Sequence, residues 1–433
     1  MIEQVWRDRV TTVFPRQGHY ARDHHTLVVH PGADLTVERI GDLVACDLPS
    51  LLSANTARAP ATGATVKATR QLHDLGQSLW LDNITRGILN DGTLQRYISD
   101  LSVTGLTSNP TIFDHAITHG DFYDDAIRRR AADDTSGETL FFDLAIEDLQ
   151  RAADLFRPIH DRTAGVDGWV SLEVSPLMAN DASSTIKAAA QLHARAQRPN
   201  LFIKIPGTRE GIVAIEEATF GGVPINVTLL FSAPQYLAAA DAYLRGIERR
   251  IAAGLDPRID SVASLFVSRW DVAVHDTVPP TLRNRLGIAI ARRTYRAYRG
   301  LLASPRWRAL AATGARPQRL LWASTGTKDA HASDTLYVEA LVAPDTINTM
   351  PEKTLAAFAD HGRVKGVLPP DGGDADTVLA EFASAGVDDT ALAARLQREG
   401  TASFDTSWKD LLDRLAAKRT MLARRDRAIA GEP

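Results

Sequence analysis

Cysteine is almost missing from this 433-residue chain, where Cys46 stands alone. A lone thiol excludes an intramolecular disulfide framework and any zinc site of the multi-cysteine kind. Neither charge sign is in surplus: 49 Lys and Arg face 53 Asp and Glu, a formal net charge of -4. A dedicated nucleic-acid binder needs a basic excess, so none is expected here. No apolar run approaches the roughly 18 to 20 residues that span a bilayer. The opening MIEQVWRDRV lacks the basic-then-apolar order of a secretory signal. No glycine-rich nucleotide fingerprint follows an early strand. The expectation is a soluble, cytoplasmic protein with no nucleic-acid or membrane partner. Hydrophobic residues at 44% and charged residues at 24% are ordinary for a globular chain, and the length suffices to bury a sizeable core.

Residues 1–69 show no persistent period. Short apolar pieces such as TLVVH and DLVACDLPSLL are broken by Pro15, Pro31, Gly32 and Pro60. Ser53 to Thr69 is small and polar, the composition of a linker. His19, His24, His25 and His30 crowd together, as a metal site or as a loose histidine-containing arm. No acidic or cysteine partner stands at ligand spacing, which favours the arm. This segment is expected to be an irregular N-terminal extension.

From residue 70 onward short strand-like runs alternate with amphipathic helices. The strand candidates are SLWLD (78–82), VTGLTSN (103–109), GWVSLEVS (168–175), NLFIKIPG (200–207), PINVTLLF (224–231), SVASLFVS (261–268), RLLWAST (319–325) and VEALVAP (338–344). Between them, Phe141, Leu144, Ala145, Leu149, Ala152 and Phe156 recur at helical spacing on one face. Ser232 followed by Ala233-Pro234 reads as a helix cap with proline just inside. Continuous apolar strands separated by helices predict an α/β fold, a (β/α)8 barrel, over an open doubly wound sheet. From about residue 351 the chain turns helical and polar, and these extra C-terminal helices are expected on the barrel exterior. The basic stretch from Lys418 to Arg427 reads as a solvated helix face.

The informative residues are polar ones inside apolar strands, near the strand ends that carry active sites in barrels. Lys204 sits in LFIKIPG on the face of Phe202. A buried lysine is costly unless paired or functional, and desolvation exposes a nucleophilic amine suited to Schiff-base chemistry. The other reading is a lysine that snorkels or pairs with a neighbour, and this strand alone leaves both open. Glu173 shares a face with Ser171 and Ser175, Asp82 ends SLWLD, and Asn226 shares a face with Thr228. Each alone reads blandly as a strand-end polar group. Together they set two carboxylates, an amide and a hydroxyl around one amine, the set an imine-forming enzyme needs. Ser264, Arg269, Ser324 and Lys328 follow on later strands as anion handles. Arg269 could instead pair with Asp271. WASTGTK lacks the spacing of a nucleotide phosphate loop.

SLWLDN, VTGLTSNPTIF, SLEVSP, LFIKIPGT, INVTLLFS and LYVEALVAPDTINTMPEKTL together resemble the motifs of transaldolases, in the longer bacterial branch of that class I Schiff-base family. The resemblance runs from about residue 70 to near the C-terminus and leaves residues 1–69 outside. It implies a (β/α)8 barrel without metal or organic cofactor, acting on phosphorylated sugars in the pentose phosphate pathway. By motif, Lys204 resembles the Schiff-base lysine and Asp82 the acid/base at the C4 hydroxyl. Glu173 and Thr228 resemble the pair that holds a catalytic water. Asn109, Asn226 and Ser264 resemble the residues around the dihydroxyacetone moiety, and Arg269 with Ser324 the phosphate ligands. Where shorter transaldolases have an arginine soon after the seventh-strand serine, this chain reads Ser324-Thr325-Gly326-Thr327-Lys328, which implies Lys328 as second phosphate ligand. Fructose 6-phosphate aldolases are similar, with tyrosine and glutamine near the catalytic water. The corresponding positions here are Phe266 and Glu173, which favours the transferase. A catalytically silent sugar-phosphate-binding barrel is the remaining alternative. The sequence does not choose between a monomer and a homodimer.

Overall fold

In a computed structural model the protein is described for residues 13–15, 35–37, 67–118, 120–131 and 136–430. His19, His24, His25, His30 and Cys46 lie outside the described residues. The chain divides into two units, Met1–Val66 and Lys67–Pro433. In the first, Val13–Pro15 and Leu35–Val37 pair in parallel.

The second unit is built on eight strands: β1 Ser78–Asp82, β2 Val103–Thr107, β3 Trp169–Glu173, β4 Leu201–Pro206, β5 Ile225–Leu230, β6 Ser261–Phe266, β7 Gln318–Ala323 and β8 Ile347–Met350. All pairings are parallel, each strand joins the next, and β8 closes on β1. The helices used below are α1 Pro110–Thr118, α2 Gly137–Arg162, α3 Ala182–Ala196, α4 Arg209–Phe220, α5 Ala233–Ala252, α6 Ser268–Val274, α7 Leu286–Leu302 and α8 Asp389–Ala430. This is the (β/α)8 barrel that the alternation predicts. Local chemistry starts the helices: the side chains of Ser136, Asp181, Thr208 and Ser232 accept hydrogen bonds from the backbone N–H three residues on, satisfying donors that the first turn leaves free. No described helix is long and apolar enough to cross a membrane.

Two expectations need correction. VEALVAP is not a strand: Leu336–Ala340 is helical, and the closing strand is Ile347–Met350. Val338, Leu341 and Val342 are fully buried, and a short apolar run looks the same whether a helix or a strand buries it. The true strand carries Asn348 and Thr349 in its middle and so hides its apolar signal. The C-terminal helices also do more than cover the exterior. Helix α8 crosses the carboxyl end of the barrel, where Gln397 Nε2 donates to the carbonyls of Gly207 and Leu229 at 2.9 and 3.0 Å.

Period two sorts the strand residues into two environments. Outward positions such as Leu79, Leu81, Val170, Leu172, Ile203, Ile205, Val227 and Leu265 join the core shared with the helices. Inward positions change with height. Near the amino ends of the strands Trp80, Trp169, Phe202, Val262, Leu321 and Ile347 fill the barrel, with Trp169 and Phe202 stacked at a centroid distance of 4.0 Å. One layer higher the inward residues turn polar. The interior is therefore an aromatic plug carrying a polar floor.

Gly105 makes room for that plug. A Cβ there would lie 2.6 Å from Trp80 Nε1 and 2.7 Å from the Trp169 carbonyl oxygen. Gly105→Ala should overpack the barrel and lower stability by about 1–3 kcal/mol. Urea unfolding checks this: the midpoint falls with unchanged slope, and an unaltered midpoint contradicts the packing described.

Candidate active site

Strand register assembles the polar floor. Glu173 lies opposite Lys204 in the β3–β4 pairing, and Lys204 lies opposite Asn226 in β4–β5. Lys204 is 5% exposed, and its ammonium lies 3.1 Å from Glu173 Oε2 and 3.2 Å from the Ser108 carbonyl oxygen. Burial pushes the Glu173 carboxyl up; the Lys204 charge opposes this, and Asp82 adds to it. Asp82 borders the cavity across from Lys204. Burial raises its pKa as well, against the charge of Lys204, a hydrogen bond from Thr107 and the charge of Lys328. Thr107 Oγ1 donates to Asp82 Oδ1 at 2.8 Å and lies 2.7 Å from Thr349 Oγ1. The single Thr107 proton is thus committed to Asp82, and Thr349 donates to Thr107. A buried carboxyl whose pKa is raised, bordering the same cavity as a buried amine, is a candidate general acid/base.

A cavity of about 220 Å³ opens over this floor, lined by Asp82, Thr107, Asn109, Lys204, Thr228, Ser264, Phe266, Arg269, Ser324, Lys328, Thr349 and Phe404 among others. Glu173 and Asn226 stand behind this wall rather than in it. Asn226 is fully buried; its Oδ1 accepts from Ser264 Oγ at 2.7 Å and its Nδ2 donates to Ser171 Oγ at 3.1 Å. Asn109 Oδ1 accepts from Ile112 N at the start of α1 at 3.0 Å, leaving its amide N–H2 as the group for a ligand. Thr228 Oγ1 is buried and has no hydrogen-bond partner among the described residues. Such a hydroxyl beside a paired lysine and carboxylate is a place for a bound water.

The anion handles gather on one side. Arg269 does not pair with Asp271. Asp271 instead accepts from the backbone N–H of Leu286 and Gly287, at 2.9 and 3.2 Å, and from Tyr337 Oη at 2.9 Å. That leaves the Arg269 guanidinium without an ion pair among the described residues, set between the rings of Phe266 and Phe404 at 5.2 and 5.9 Å. Burial lowers its pKa, and the charge of Glu399 partly offsets this. Ser324 has a φ of 57°, a left-handed conformation uncommon outside glycine and concentrated at functional sites. Its hydroxyl lies 2.9 Å from that of Ser268. Lys328 is exposed on the rim. Phosphate fits this corner better than a neutral group.

A larger cavity, about 700 Å³, lies at the opposite, amino end of the barrel against Trp169, Tyr298, Arg316 and Arg319. Its cations are already engaged, Arg316 with Asp260 at 2.9 Å and Arg319 with the Ser78 hydroxyl and the Thr346 carbonyl at 2.6 and 3.0 Å. Size does not locate the chemistry. Thr107, Thr349 and Phe404 join the site without having been singled out from sequence. Thr107 lies within VTGLTSN, Thr349 lies on the closing strand Ile347–Met350 beyond the predicted strand at 338–344, and Phe404 lies on α8, in a region expected on the barrel exterior.

The raised pKa of Asp82 has a definite consequence for stability. Between the ordinary value of 3.8 and the raised one, the folded chain holds the proton that the unfolded chain has released. Stability contributed at this site therefore falls as pH rises through that window, and the deficit persists above it. Asp82→Asn keeps a hydrogen-bond acceptor for Thr107 and removes the ionisation. Its thermal midpoint relative to the parent should improve from about pH 4 to pH 8. A difference that stays flat or reverses contradicts a buried, penalised carboxylate.

The profile of the transaldolase/fructose-6-phosphate aldolase family matches residues 79–415. Among curated relatives, the transaldolase of Thiobacillus denitrificans is 46% identical over 352 residues, covering 79% of this chain and 98% of that protein. The transaldolases of Saccharopolyspora erythraea and Thermobifida fusca are each 46% identical, over 79% and 80% of this chain and 94% and 97% of theirs. With its barrel, its buried lysine and these relatives, the chain belongs to the transaldolase/fructose-6-phosphate aldolase family.

Proposed function

We propose that the chain is a transaldolase that moves a dihydroxyacetone unit from sedoheptulose 7-phosphate to glyceraldehyde 3-phosphate, giving erythrose 4-phosphate and fructose 6-phosphate. The observation that carries this reading is Lys204, buried beneath the cavity and held 3.1 Å from Glu173. Passing a proton to Glu173, whose pKa burial raises, leaves the Lys204 amine neutral and nucleophilic. It attacks C2 of the ketose. A water held by Glu173 and the unpartnered Thr228 hydroxyl carries protons as the carbinolamine loses water to form the iminium. Asp82 takes the C4 hydroxyl proton, the C3–C4 bond breaks, and the iminium accepts the electron pair as an enamine. The leaving aldose departs, and the acceptor aldehyde enters for the reverse sequence. Asn109 and Ser264 hydrogen-bond the dihydroxyacetone moiety, with Asn226 setting Ser264 from behind. Arg269, Ser324 and Lys328 hold the phosphate. This is the non-oxidative exchange expected of the pentose phosphate pathway.

An aldolase that releases free dihydroxyacetone is the neighbouring activity. Phe266 and Glu173 stand where the resemblance expects tyrosine and glutamine in that enzyme, and the aromatic walls around the lysine favour retention of the enamine. Incubation with fructose 6-phosphate, with and without erythrose 4-phosphate, distinguishes the two. Glyceraldehyde 3-phosphate formed only with the acceptor supports transfer, and acceptor-independent formation with free dihydroxyacetone supports the aldolase. Lys204→Ala should abolish turnover and borohydride trapping with fructose 6-phosphate, whereas Asp82→Ala should still be trapped but not cleave. Near-normal turnover of Lys204→Ala would sink the mechanism. Losing the charged hydrogen bonds of Arg269 removes about 1.5–3 kcal/mol. Arg269→Ala should therefore raise KM for phosphorylated substrates roughly 10- to 100-fold with kcat much less affected.

A further inference from the structure

Helix α8 puts one aromatic side chain into the cavity. Phe404 is 6% exposed. Its ring centroid lies 5.7 Å from Lys204 Nζ and 5.9 Å from the Arg269 guanidinium carbon. The ring thus bridges the nucleophile and the anion corner. It belongs to the apolar cluster of Leu229, Phe231, Leu392 and Leu396, yet it also lines the cavity beside two cations.

The helix that carries it is fastened on both sides of the mouth. Gln397 Nε2 holds the carbonyls of Gly207 and Leu229, just past the strand of Lys204 and near the end of β5. Leu229 has a φ of 58°, costly for a bulky residue, so its carbonyl is aimed at Gln397 by a backbone that the fold must over-determine. On the far side Thr111 Oγ1 donates to Ser407 Oγ at 3.0 Å, and Lys418 Nζ donates to the Ile117 carbonyl at 2.8 Å. Trp408 packs edge-on against Phe141 at 4.9 Å. Phe404 is therefore held in place between anchors at Gln397 and Trp408.

We propose that Phe404 is a specificity-determining residue: it keeps water from the lysine-bound enamine, so that the three-carbon unit is transferred rather than released. This rests on the Schiff-base reading of Lys204. Release begins when the enamine takes a proton at C3, giving the iminium of dihydroxyacetone. Water then adds at C2 and the C–N bond breaks, leaving free dihydroxyacetone and protonated Lys204. The sequence consumes one water and one proton. Both reach the intermediate through the cavity that the ring lines. The phenyl ring, its centroid 5.7 Å from the Lys204 amine, offers water and protons no hydrogen-bond partner on that side of the intermediate.

The experiment measures the ratio of free dihydroxyacetone released to unit transferred, with fructose 6-phosphate as donor and erythrose 4-phosphate present or absent. Borohydride trapping at Lys204 is measured alongside. Phe404→Ala should keep the trapped adduct and raise the release-to-transfer ratio about tenfold or more. Phe404→Leu restores apolar bulk and should return the ratio most of the way; a merely structural defect would instead lower trapping, release and transfer together. Gln397→Ala loosens the helix while leaving the ring, and should shift the ratio in the same direction by less. If Phe404→Ala fails to fold, the Gln397→Ala and Phe404→Leu pair still decides. Normal trapping with an unchanged ratio overturns the role of Phe404 alone. Absence of any adduct in the parent overturns the Schiff-base reading beneath it.

Discussion

A lysine that is 5% exposed is costly inside a protein unless a carboxylate meets its ammonium group and the remaining protons find acceptors. The Lys204–Glu173 pair, with the Ser108 carbonyl as second acceptor, meets that condition, and much of the architecture serves it. The two residues face each other because β3 and β4 pair in the register that sets Glu173 opposite Lys204. A one-residue slip of either strand would turn its charged residue outward among the helices and leave the other unpaired in the barrel. The aromatic plug of Trp80, Trp169 and Phe202 below blocks solvent from the amino end and holds that register. Ion pair and plug are thus two halves of one constraint: a desolvated amine needs a dry barrel beneath it.

Charge is distributed with the same economy elsewhere in the site. Asp271 is the natural partner of Arg269 in sequence, yet it is spent on the first N–H groups of α7 and on Tyr337. Burial still lifts its pKa to about 6, since these donors only partly offset the loss of water. Arg269 is left half-dry and unpaired among the described residues, an arrangement that is unfavourable until an anion arrives and therefore selects for one. The unpartnered hydroxyl of Thr228 follows the same logic for water. Unsatisfied groups gather where a ligand can satisfy them.

The C-terminal helix closes this arrangement from outside the barrel. It shares packing with the carboxyl end through Leu392, Leu396 and Phe404, which meet Leu229, Phe231 and Phe266. The segment that reads as exterior decoration is part of the site wall. Its long amphipathic pattern is the reason for the misreading: one apolar stripe says that a helix is packed, never against which end of a barrel.

The sequence by itself determined the alternation of strands and helices, the face on which each strand residue points, and the polar residues that share the inward face. Lys204, Glu173, Asp82 and Thr228 were legible because period two is local and a charge inside an apolar strand is conspicuous. Tertiary structure alone decided which strand closes the barrel, since Ile347–Met350 is short and polar where it meets the site, while the more apolar VEALVAP is buried partly as helix. It alone decided that Asp271 turns away from Arg269, that Asn226 stands behind Ser264 rather than in the cavity, and that Phe404 reaches across from residue 404 to residue 204. Those are choices among partners distant along the chain, set by barrel closure and helix docking, and no local pattern encodes them.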